Sequence, residues 1–330
     1  MVTAMPDELI CRICHSSKNL HDTRMRTCED IRNLGDYKVY YCNNCHNGFT
    51  FPNVPLEAYE LLPDVSKDEH ASSANTILQW FIERRLKKLE LLFDKRKISL
   101  LDIGGGACAF ANTMAHRKHS VTVIEPNEKN RKYANISHGV NFLSEMFSDD
   151  LIQRGILKSN SFDVVTMWHS LEHTDDPQAV LKAIHAILKS DGILFVSVPN
   201  INGLLAKTGG NYWTYLDVPH HLCHFTPRGL KQLLINSGFI IQRSYRFSIE
   251  YDPFGWYQTL LNVVGRSHNY FYNSRKKNRS DQTYIRYPRW TKFVTACGLL
   301  FLPIVGIMSL LTLLLNTPAC VEIAARKESL

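Results

Sequence analysis

The chain has 330 residues, which allows two domains, and its 45% of hydrophobic residues is enough for a proper core. The formal net charge of +7 is mild for this length, and the basic residues are unevenly distributed. Nine cysteines without an N-terminal signal peptide argue against a disulfide-rich secreted domain and favour a reducing compartment, in which thiols bind metal or pack in the core.

Two Cys-x-x-Cys pairs stand near the N-terminus, Cys11 with Cys14 and Cys42 with Cys45, with 27 residues between them. Two such pairs brought together supply the four thiolates of a closed tetrahedral zinc site. The alternatives are a redox pair or unligated thiols. The pattern favours a zinc-ribbon-like module over residues 1–60, in which a structural Zn²⁺ supplies folding energy that so short a segment lacks.

Residues 52–70 carry three prolines and scattered acids, which indicates an irregular connector. From Ala74 to Asp94, apolar residues recur at the spacing of one helix face, with charged residues mostly opposite. This pattern predicts a long helix that covers the start of a sheet.

The next segment combines a strand, a glycine turn and a helix. Residues 100–103 are mostly apolar, as expected of a buried parallel strand, and a helix is predicted from Ala107 to His116. A ligand can approach the glycine backbone closely, and the helix N–H groups face its negative end. Glu125 ends the following strand about twenty residues later, where a carboxylate accepts hydrogen bonds from ribose hydroxyls. This spacing fits NAD as well as S-adenosylmethionine.

The motif Asp102-x-Gly104-x-Gly106, followed by Glu125, resembles that of the class I S-adenosylmethionine-dependent methyltransferases. In that family an acid precedes the glycines, whereas a dinucleotide-binding turn usually starts with glycine. The resemblance implies S-adenosyl-L-methionine as cofactor. It places Gly104 and Gly106 near the methionine part, with Asp102 orienting the turn and Glu125 holding the ribose. The chain departs from the family pattern at Cys108, where glycine is common.

The stretch Phe162–Trp168 is predicted as the fourth strand and runs into His169, Glu172 and His173. The carboxyl end of this strand in an open α/β sheet adjoins the ligand-binding crevice. Three ionisable side chains there suit a catalytic rim, and the alternative is a solvated loop with a helix cap. The string from Phe162 to His173 resembles a methyltransferase subgroup, and His169 is a candidate base.

A second histidine cluster, residues 219–225, precedes a helix predicted from Pro227. Histidine suits proton removal near neutral pH, and a metal site is an alternative that lacks a complete ligand set. A similar His-x-x-Phe-Thr-like run in the family implies His221 as the first candidate base and His224 as the second. The preceding residues 201–219 are predicted as a mobile substrate lid or a packed surface loop.

Class I methyltransferases close their sheet with an antiparallel last strand, and residues 320–327 are the stretch that resembles it. The strand before it is predicted at residues 239–248, so residues 252–317 form an insert. Within the insert, residues 266–292 are strongly basic, and residues 293–315 are a run of 23 residues without any charge.

The uncharged run is long enough for a transmembrane segment, but a full span would separate the last strand from its sheet. The sequence therefore predicts a monotopic or re-entrant membrane anchor, with its basic part facing anionic lipids of the cytoplasmic leaflet. The alternative is a pair of buried helices at a dimer interface.

These patterns predict an α/β fold: a Rossmann-like class I methyltransferase sheet with an antiparallel last strand, a small N-terminal zinc-ribbon-like module and a membrane-docking helical insert. The methyltransferase domain covers residues 61–330, interrupted by residues 252–317. The arrangement is similar to bacterial sugar and polysaccharide methyltransferases, which implies a glycan or lipid-linked acceptor at the cytoplasmic face of the inner membrane. Methylation of a quinone-type lipid or of an RNA base are alternatives. A nucleic-acid partner is disfavoured because residues 1–60 carry no strong basic excess.

Overall fold

The computed structural model of the chain describes residues 8–27, 36–53, 76–93, 97–134, 139–266 and 298–328. The chain divides into two compact units. The first takes in residues 1–62, 199–230 and 245–321, and the second takes in residues 63–198, 231–244 and 322–330. The domain boundary predicted between residues 60 and 61 lies outside the described residues.

The strands within the described ranges are β1 (Leu20–Arg26), β2 (Lys38–Cys42), β3 (Asn47–Phe51), β4 (Ser99–Ile103), β5 (Ser120–Ile124), β6 (Val140–Leu143), β7 (Phe162–Trp168), β8 (Leu188–Pro199), β9 (Cys223–His224), β10 (Phe239–Tyr245) and β11 (Cys320–Lys327). The α-helices there are α1 (Thr76–Glu90), α2 (Ala109–His116), α3 (Arg131–Ala134), α4 (Asp150–Gln153), α5 (Pro177–Ile187), α6 (Leu204–Gly209), α7 (Pro227–Asn236), α8 (Tyr251–Gly265) and α9 (Leu302–Leu314).

The second unit is built on a seven-stranded sheet with the order β10-β11-β8-β7-β4-β5-β6. The strands from β8 to β6 in this order run parallel to their neighbours. Strands β4 and β7 are almost entirely buried, which accounts for their continuous apolar sequence. The register places Asp102 of β4 opposite Val123 of β5 and Thr166 of β7. The carboxyl ends of these three strands therefore meet at one edge of the sheet.

The last strand, β11, lies between β10 and β8. Two contacts at its end, each with the beginning of a neighbouring strand, indicate that it runs antiparallel to both. The backbone N–H of Glu328, just past the end of β11, donates to the carbonyl of Gly238, just before β10. The side chain of Lys327 donates to the carbonyl of Leu188, where β8 begins. The antiparallel last strand predicted at residues 320–327 is confirmed, and with it the Rossmann-like methyltransferase sheet.

Helix α1 packs in the second unit through one face, on which Ile82, Leu86 and Leu89 are buried. Lys88 of this helix forms an ion pair with Glu322 of β11, whose side chain is almost completely buried. A buried carboxylate requires such a partner, since an unpaired buried charge is strongly destabilising. The helix predicted over residues 74–94 is therefore present, and it also neutralises a charge inside the last strand.

The first unit contains a second, four-stranded sheet with the order β1-β2-β3-β9. Its neighbouring strands are antiparallel, and Gly48 of β3 stands opposite His224 of β9. A Cβ at Gly48 would lie 3.2 Å from the carbonyl oxygen of Tyr40 and 3.3 Å from Cβ of His224, so that glycine permits the close pairing. A strand from far along the chain thus completes the sheet that begins next to the N-terminal cysteines.

The segment predicted as a lid, residues 201–219, contains α6 and a fully buried Trp213. Trp213 belongs to one core cluster with Leu205 and Trp256, all within the first unit. This segment is therefore packed within the first unit, as the second of the two predictions states, and it is not a mobile lid.

Helices α8 and α9 pack together in the first unit, where Nε1 of Trp256 donates to Oγ1 of Thr312 at 3.0 Å. The buried Asp252 at the start of α8 accepts backbone hydrogen bonds from Ser248 and Ala319. Within the described ranges, no helix has both the length and the apolar character needed to cross a bilayer. The basic run from residue 267 to 292 lies outside the described residues, as does the start of the uncharged run at residues 293–297.

Candidate cofactor site and metal centre

The glycine turn joins β4 to α2 with two residues in the left-handed region. Gly104 has φ +74° and Gly106 has φ +50°, conformations that L side chains rarely adopt. A Cβ at Gly104 would lie 2.6 Å from Cβ of Ser170, whereas a Cβ at Gly106 would meet nothing within 4 Å. Glycine is thus required at Gly104 by the backbone conformation and by the close contact with Ser170. Gly106 instead borders open space into which a ligand fits.

Gly105 is a further constrained residue that the sequence motif does not single out. A Cβ there would lie 2.7 Å from Cγ1 of Val123 and 3.1 Å from Oδ2 of Asp102. The turn therefore packs closely on β4 and β5. The run of three consecutive glycines is the sequence signal that could have indicated it.

Asp102 lies beneath this turn and is only 2% exposed. Its Oδ1 accepts a hydrogen bond from Oγ1 of Thr166 on the neighbouring strand β7 at 2.6 Å. Burial raises the pKa of Asp102 to about 6, and the hydrogen bond from Thr166 opposes this rise. Asp102 thus touches the turn from inside the sheet, as expected of a residue that orients it.

Glu125 follows β5 and is held by two backbone groups. Its Oε2 accepts from the N–H of Gly106, and its Oε1 accepts from the N–H of Asn127, both at 3.0 Å. Each carboxylate oxygen has two acceptor sites, so that both retain capacity for a further donor such as a ribose hydroxyl. The predicted cofactor residues Asp102, Gly104, Gly106 and Glu125 are therefore brought together at one edge of the sheet.

Cys108 is the N-cap residue of α2 and has φ 59°. Its side chain is fully buried, with Sγ 3.6 Å from the carbonyl oxygen of Gly106. Burial raises the pKa of this thiol to about 12, and the nearby carboxylates of Asp102 and Glu125 act in the same direction. The departure from the family pattern thus places a small, neutral side chain inside the turn.

Trp168, at the end of β7, supplies a hydrogen-bond donor near the glycine turn. Trp168 lies on the same face of β7 as Thr166, two residues earlier, and its ring contacts Phe110 in the first turn of α2. Its buried Nε1–H has no hydrogen-bond partner among the described residues. The guanidinium of Arg85 stacks over the indole at 4.9 Å. Together with the glycine turn and Glu125, this arrangement fits S-adenosylmethionine, which presents hydroxyl donors and polar acceptors.

His169 follows Trp168 directly and forms a pair with a buried acid. Its Nδ1 lies 3.2 Å from Oε1 of Glu172, whose carboxylate is inaccessible to solvent. A carboxylate beside Nδ1 favours the tautomer with the proton on Nδ1, which leaves the lone pair on Nε2. Ser170, between the two residues, is the side chain that contacts Gly104. His169 is thus a candidate base beside the glycine turn.

The other two candidate bases lie in the first unit. Nδ1 of His221 is 2.9 Å from the carbonyl oxygen of Tyr215, so that this nitrogen donates and Nε2 carries the lone pair. His224 is different, because its Nε2 is 3.0 Å from Oγ1 of Thr50, and that hydroxyl already donates to the carbonyl of His221. Nε2 of His224 must then donate, which gives this buried residue of β9 a structural role.

The four predicted metal ligands form one cluster in the first unit. Sγ of Cys11 lies 3.6 Å from Sγ of Cys45, and the same distance separates Cys14 from Cys42. All four sulfur atoms lie within 4.8 Å of one another. Zn–S bonds of about 2.3 Å in a tetrahedron place the sulfurs at roughly this separation. The donor set therefore fits a zinc ion.

The backbone repeats itself around the two cysteine pairs. Each pair is followed by a histidine in the left-handed region, His15 with φ 56° and His46 with φ 57°. The hydrogen bond from the thiol of Cys45 lowers the pKa of Cys11 to about 5, and the same contact raises the pKa of Cys45. The two Cys-x-x-Cys pairs thus form two matched turns, or knuckles, that bring four sulfur atoms together, which is the arrangement expected of a cation site.

Comparisons with known proteins agree with the fold. The family model described as a methyltransferase domain matches residues 76–243. A relative from Actinobacillus pleuropneumoniae, the ubiquinone biosynthesis O-methyltransferase, is 32% identical over 119 residues, which cover 34% of this chain and 50% of the relative. The enzyme of the same name from Neisseria meningitidis is 28% identical over 148 residues, which cover 44% of this chain and 60% of the relative. The chain thus spans about half the length of the curated relatives it matches.

Solved structures of methyltransferases are also similar. One from Thermotoga maritima, described as a possible histamine N-methyltransferase, is 25% identical, covers 52% of this chain and 78% of that protein, and has a TM-score of 0.39. One from Archaeoglobus fulgidus is 18% identical, covers 76% of this chain and 94% of that protein, and has a TM-score of 0.47. Because the family match covers half of the chain, the chain belongs to the family of S-adenosylmethionine-dependent methyltransferases.

Proposed function

We propose that this protein methylates a hydroxyl group of a glycan or lipid-linked acceptor, with His169 as the base. The observation that carries the proposal is the pair of His169 and the buried Glu172, directly after β7 and in the same unit as the glycine turn. Transfer of a methyl group to a hydroxyl requires a group that takes the hydroxyl proton, and an imidazole does so near neutral pH.

S-adenosylmethionine, when bound, supplies a methyl group on a positively charged sulfur that an oxygen nucleophile attacks in line. Glu125 accepts hydrogen bonds from the ribose hydroxyls, because its carboxylate is already fixed by the N–H groups of Gly106 and Asn127. Gly104 and Gly106 leave the turn free of side chains, so that the backbone contacts the methionine part. The chain contributes to the reaction by positioning and orienting the cofactor and the acceptor.

Proton removal is the second task of the chain. Nδ1 of His169 lies 3.2 Å from Oε1 of Glu172, which favours a proton on Nδ1, so that Nε2 accepts the proton of the acceptor hydroxyl. The carboxylate at 3.2 Å then stabilises the imidazolium that forms. Glu172 thereby acts as a positioning residue for His169.

The acceptor class has two candidates. The resemblance to bacterial sugar and polysaccharide methyltransferases favours a glycan or lipid-linked hydroxyl. The curated relatives named ubiquinone biosynthesis O-methyltransferase favour the second candidate, a quinone-type lipid, which would also be methylated on oxygen. Both share a hydroxyl nucleophile, and His169 would serve either.

We further propose that Cys11, Cys14, Cys42 and Cys45 hold a structural zinc ion. Sulfur separations of 3.6 Å across two knuckles support this proposal. Four thiolates complete the coordination of the ion, and no position remains for a substrate. The ion would tie the segment before β1 to the β2–β3 turn and thereby stabilise the small sheet.

The cofactor assignment makes a direct prediction for Glu125. Its replacement by alanine removes charge-assisted hydrogen bonds to the ribose and should weaken S-adenosylhomocysteine binding by about 1–3 kcal/mol, measured by isothermal titration. Glu83→Ala is the matched control, because that carboxylate is 41% exposed and pairs with Arg117 on the surface. The control should bind like the wild type. Tight NADH binding without S-adenosylhomocysteine binding would refute the assignment.

The acceptor is tested by mass spectrometry of lipid and polysaccharide fractions from cells with and without the gene. Cells that carry the wild-type gene should contain a glycan or lipid-linked product that is heavier by one methylene group and is absent from the deletion strain. The Glu125→Ala gene should restore little of this product, whereas the Glu83→Ala gene should restore it fully. A gene-dependent methyl group found in a quinone would favour the second candidate, and one found in RNA would contradict both.

A further inference from the structure

Helix α9 has two sides of different character. Val305, Ser309 and Thr312 are buried and recur at the spacing of one helix face. Oγ1 of Thr312 accepts a hydrogen bond from Nε1 of Trp256 in α8, which fixes this side against the protein. The rotation of α9 about its own axis is therefore set by contacts within the first unit.

The opposite side of α9 is apolar and exposed. Ile307, Leu310, Leu311 and Leu314 follow the i, i+3, i+4, i+7 spacing and are between 38% and 70% exposed. The sequence from residue 298 to 317 contains no Asp, Glu, Lys or Arg. A continuous apolar stripe on one helix, unlike scattered surface leucines, indicates an interaction surface.

The sequence that leads into α9 indicates the charge of the partner. Residues 266–292 contain eight lysines and arginines against a single acid, Asp281. Interfacial helices that bind anionic bilayers combine an apolar face with such basic residues. A second copy of the chain would instead bring the same positive charges together, and like charges repel. Charge complementarity thus favours an anionic lipid surface.

We infer that the exposed face of α9, formed by Ile307, Leu310, Leu311 and Leu314, docks on an anionic phospholipid bilayer. The helix lies in the plane of the interface, with these side chains among the acyl chains and the buried side still packed on α8. The inference goes beyond the proposed methyl transfer, because it depends on α9 and not on the acceptor or on His169.

The experiment is vesicle co-sedimentation of the purified full-length protein. Wild type should sediment with vesicles of equal parts phosphatidylcholine and phosphatidylglycerol and much less with phosphatidylcholine alone. The double variant Ile307→Gln/Leu314→Gln replaces the two most exposed side chains of the stripe without adding charge. It should lower the partition coefficient roughly tenfold or more. Ile77→Gln is the matched control, since Ile77 of α1 is 65% exposed, and it should bind like the wild type.

Three outcomes would overturn the inference. The first is that the wild-type protein does not sediment with the anionic vesicles. The second is that the double variant binds as well as the wild type. The third is a wild-type dimer in light scattering that the double variant converts to a monomer without any vesicle binding, which assigns the face to a second copy. Circular dichroism verifies that the variants are folded, and Leu310→Gln provides a milder second variant. Because no arm measures methyl transfer, failure here is distinguishable from failure of the proposed function.

Discussion

Replacing His169 with alanine is expected to lower kcat by roughly 10²–10⁴-fold, while the affinity for S-adenosylhomocysteine stays within about twofold. The imidazole takes the proton from the acceptor hydroxyl, so that its loss removes an interaction made during the reaction and leaves cofactor binding intact. The measurement is single-turnover methyl transfer together with isothermal titration. Glu172→Gln should lower kcat by about tenfold, because an amide oxygen orients Nδ1–H but does not stabilise the imidazolium by charge.

His221 provides the decisive comparison for this prediction. Its Nδ1 donates to the carbonyl of Tyr215, and its Nε2 therefore carries a lone pair, as is proposed for His169. If His221→Asn lowers kcat by the expected factor and His169→Ala does not, the base is His221 and the proposed role of His169 is wrong. His224→Asn is expected to act on stability instead, since its ring donates to the buried hydroxyl of Thr50.

The cofactor turn could be predicted from sequence because its determinants are local. Strand β4, the glycines and the first turn of α2 are consecutive in the chain, and Glu125 follows at the spacing that one helix and one strand require. The tight fit of Gly105 could not be predicted, because it depends on Val123 from the neighbouring strand. The motif locates the turn, and the packing explains why glycine is needed at Gly104 and Gly105.

The resemblance ranks His221 before His224 as a base, but the residues themselves give no ranking, because a tautomer depends on three-dimensional partners. The sequence offers several histidines with equal chemistry. Only the structure reveals that Nδ1 of His169 faces Glu172, whereas Nε2 of His224 is held by Thr50. The hydroxyl of Thr50 comes from β3, more than 170 residues earlier in the chain. No local pattern indicates such a contact.

The structure of the insert, residues 252–317, could also be predicted only in part. An uncharged run of 23 residues predicts membrane association but gives no orientation. Within the described residues, α9 begins only at Leu302, and Val305 and Thr312 on one side are buried against the protein. Hydropathy alone cannot separate the side that packs on Trp256 from the side that is exposed, since both sides are uncharged.

Loss of the proposed zinc ion is expected to have the largest effect on stability. In the Cys11→Ser/Cys42→Ser double variant each knuckle loses one ligand, and elemental analysis should find the zinc content falling from one ion per chain to none. Removal of a structural metal belongs to the small set of changes that cost more than about 4–5 kcal/mol. For a unit of this size, that loss lowers Tm by roughly 8–20 °C in a thermal melt.

The Cys223→Ala variant is the matched control for the zinc prediction. Cys223 is a buried cysteine of the same unit, in β9, and lies outside the four-sulfur cluster. This variant should keep one zinc per chain, although it loses some packing, whereas a chelator should destabilise it as much as the wild type. The two variants together separate the effect of metal binding on stability from the effect of thiol burial. Both remove buried sulfur, but only the double variant removes metal ligands. Wild-type protein that contains no zinc, with Cys11, Cys14, Cys42 and Cys45 all reacting freely with a thiol reagent, would show that the knuckles are held by packing alone.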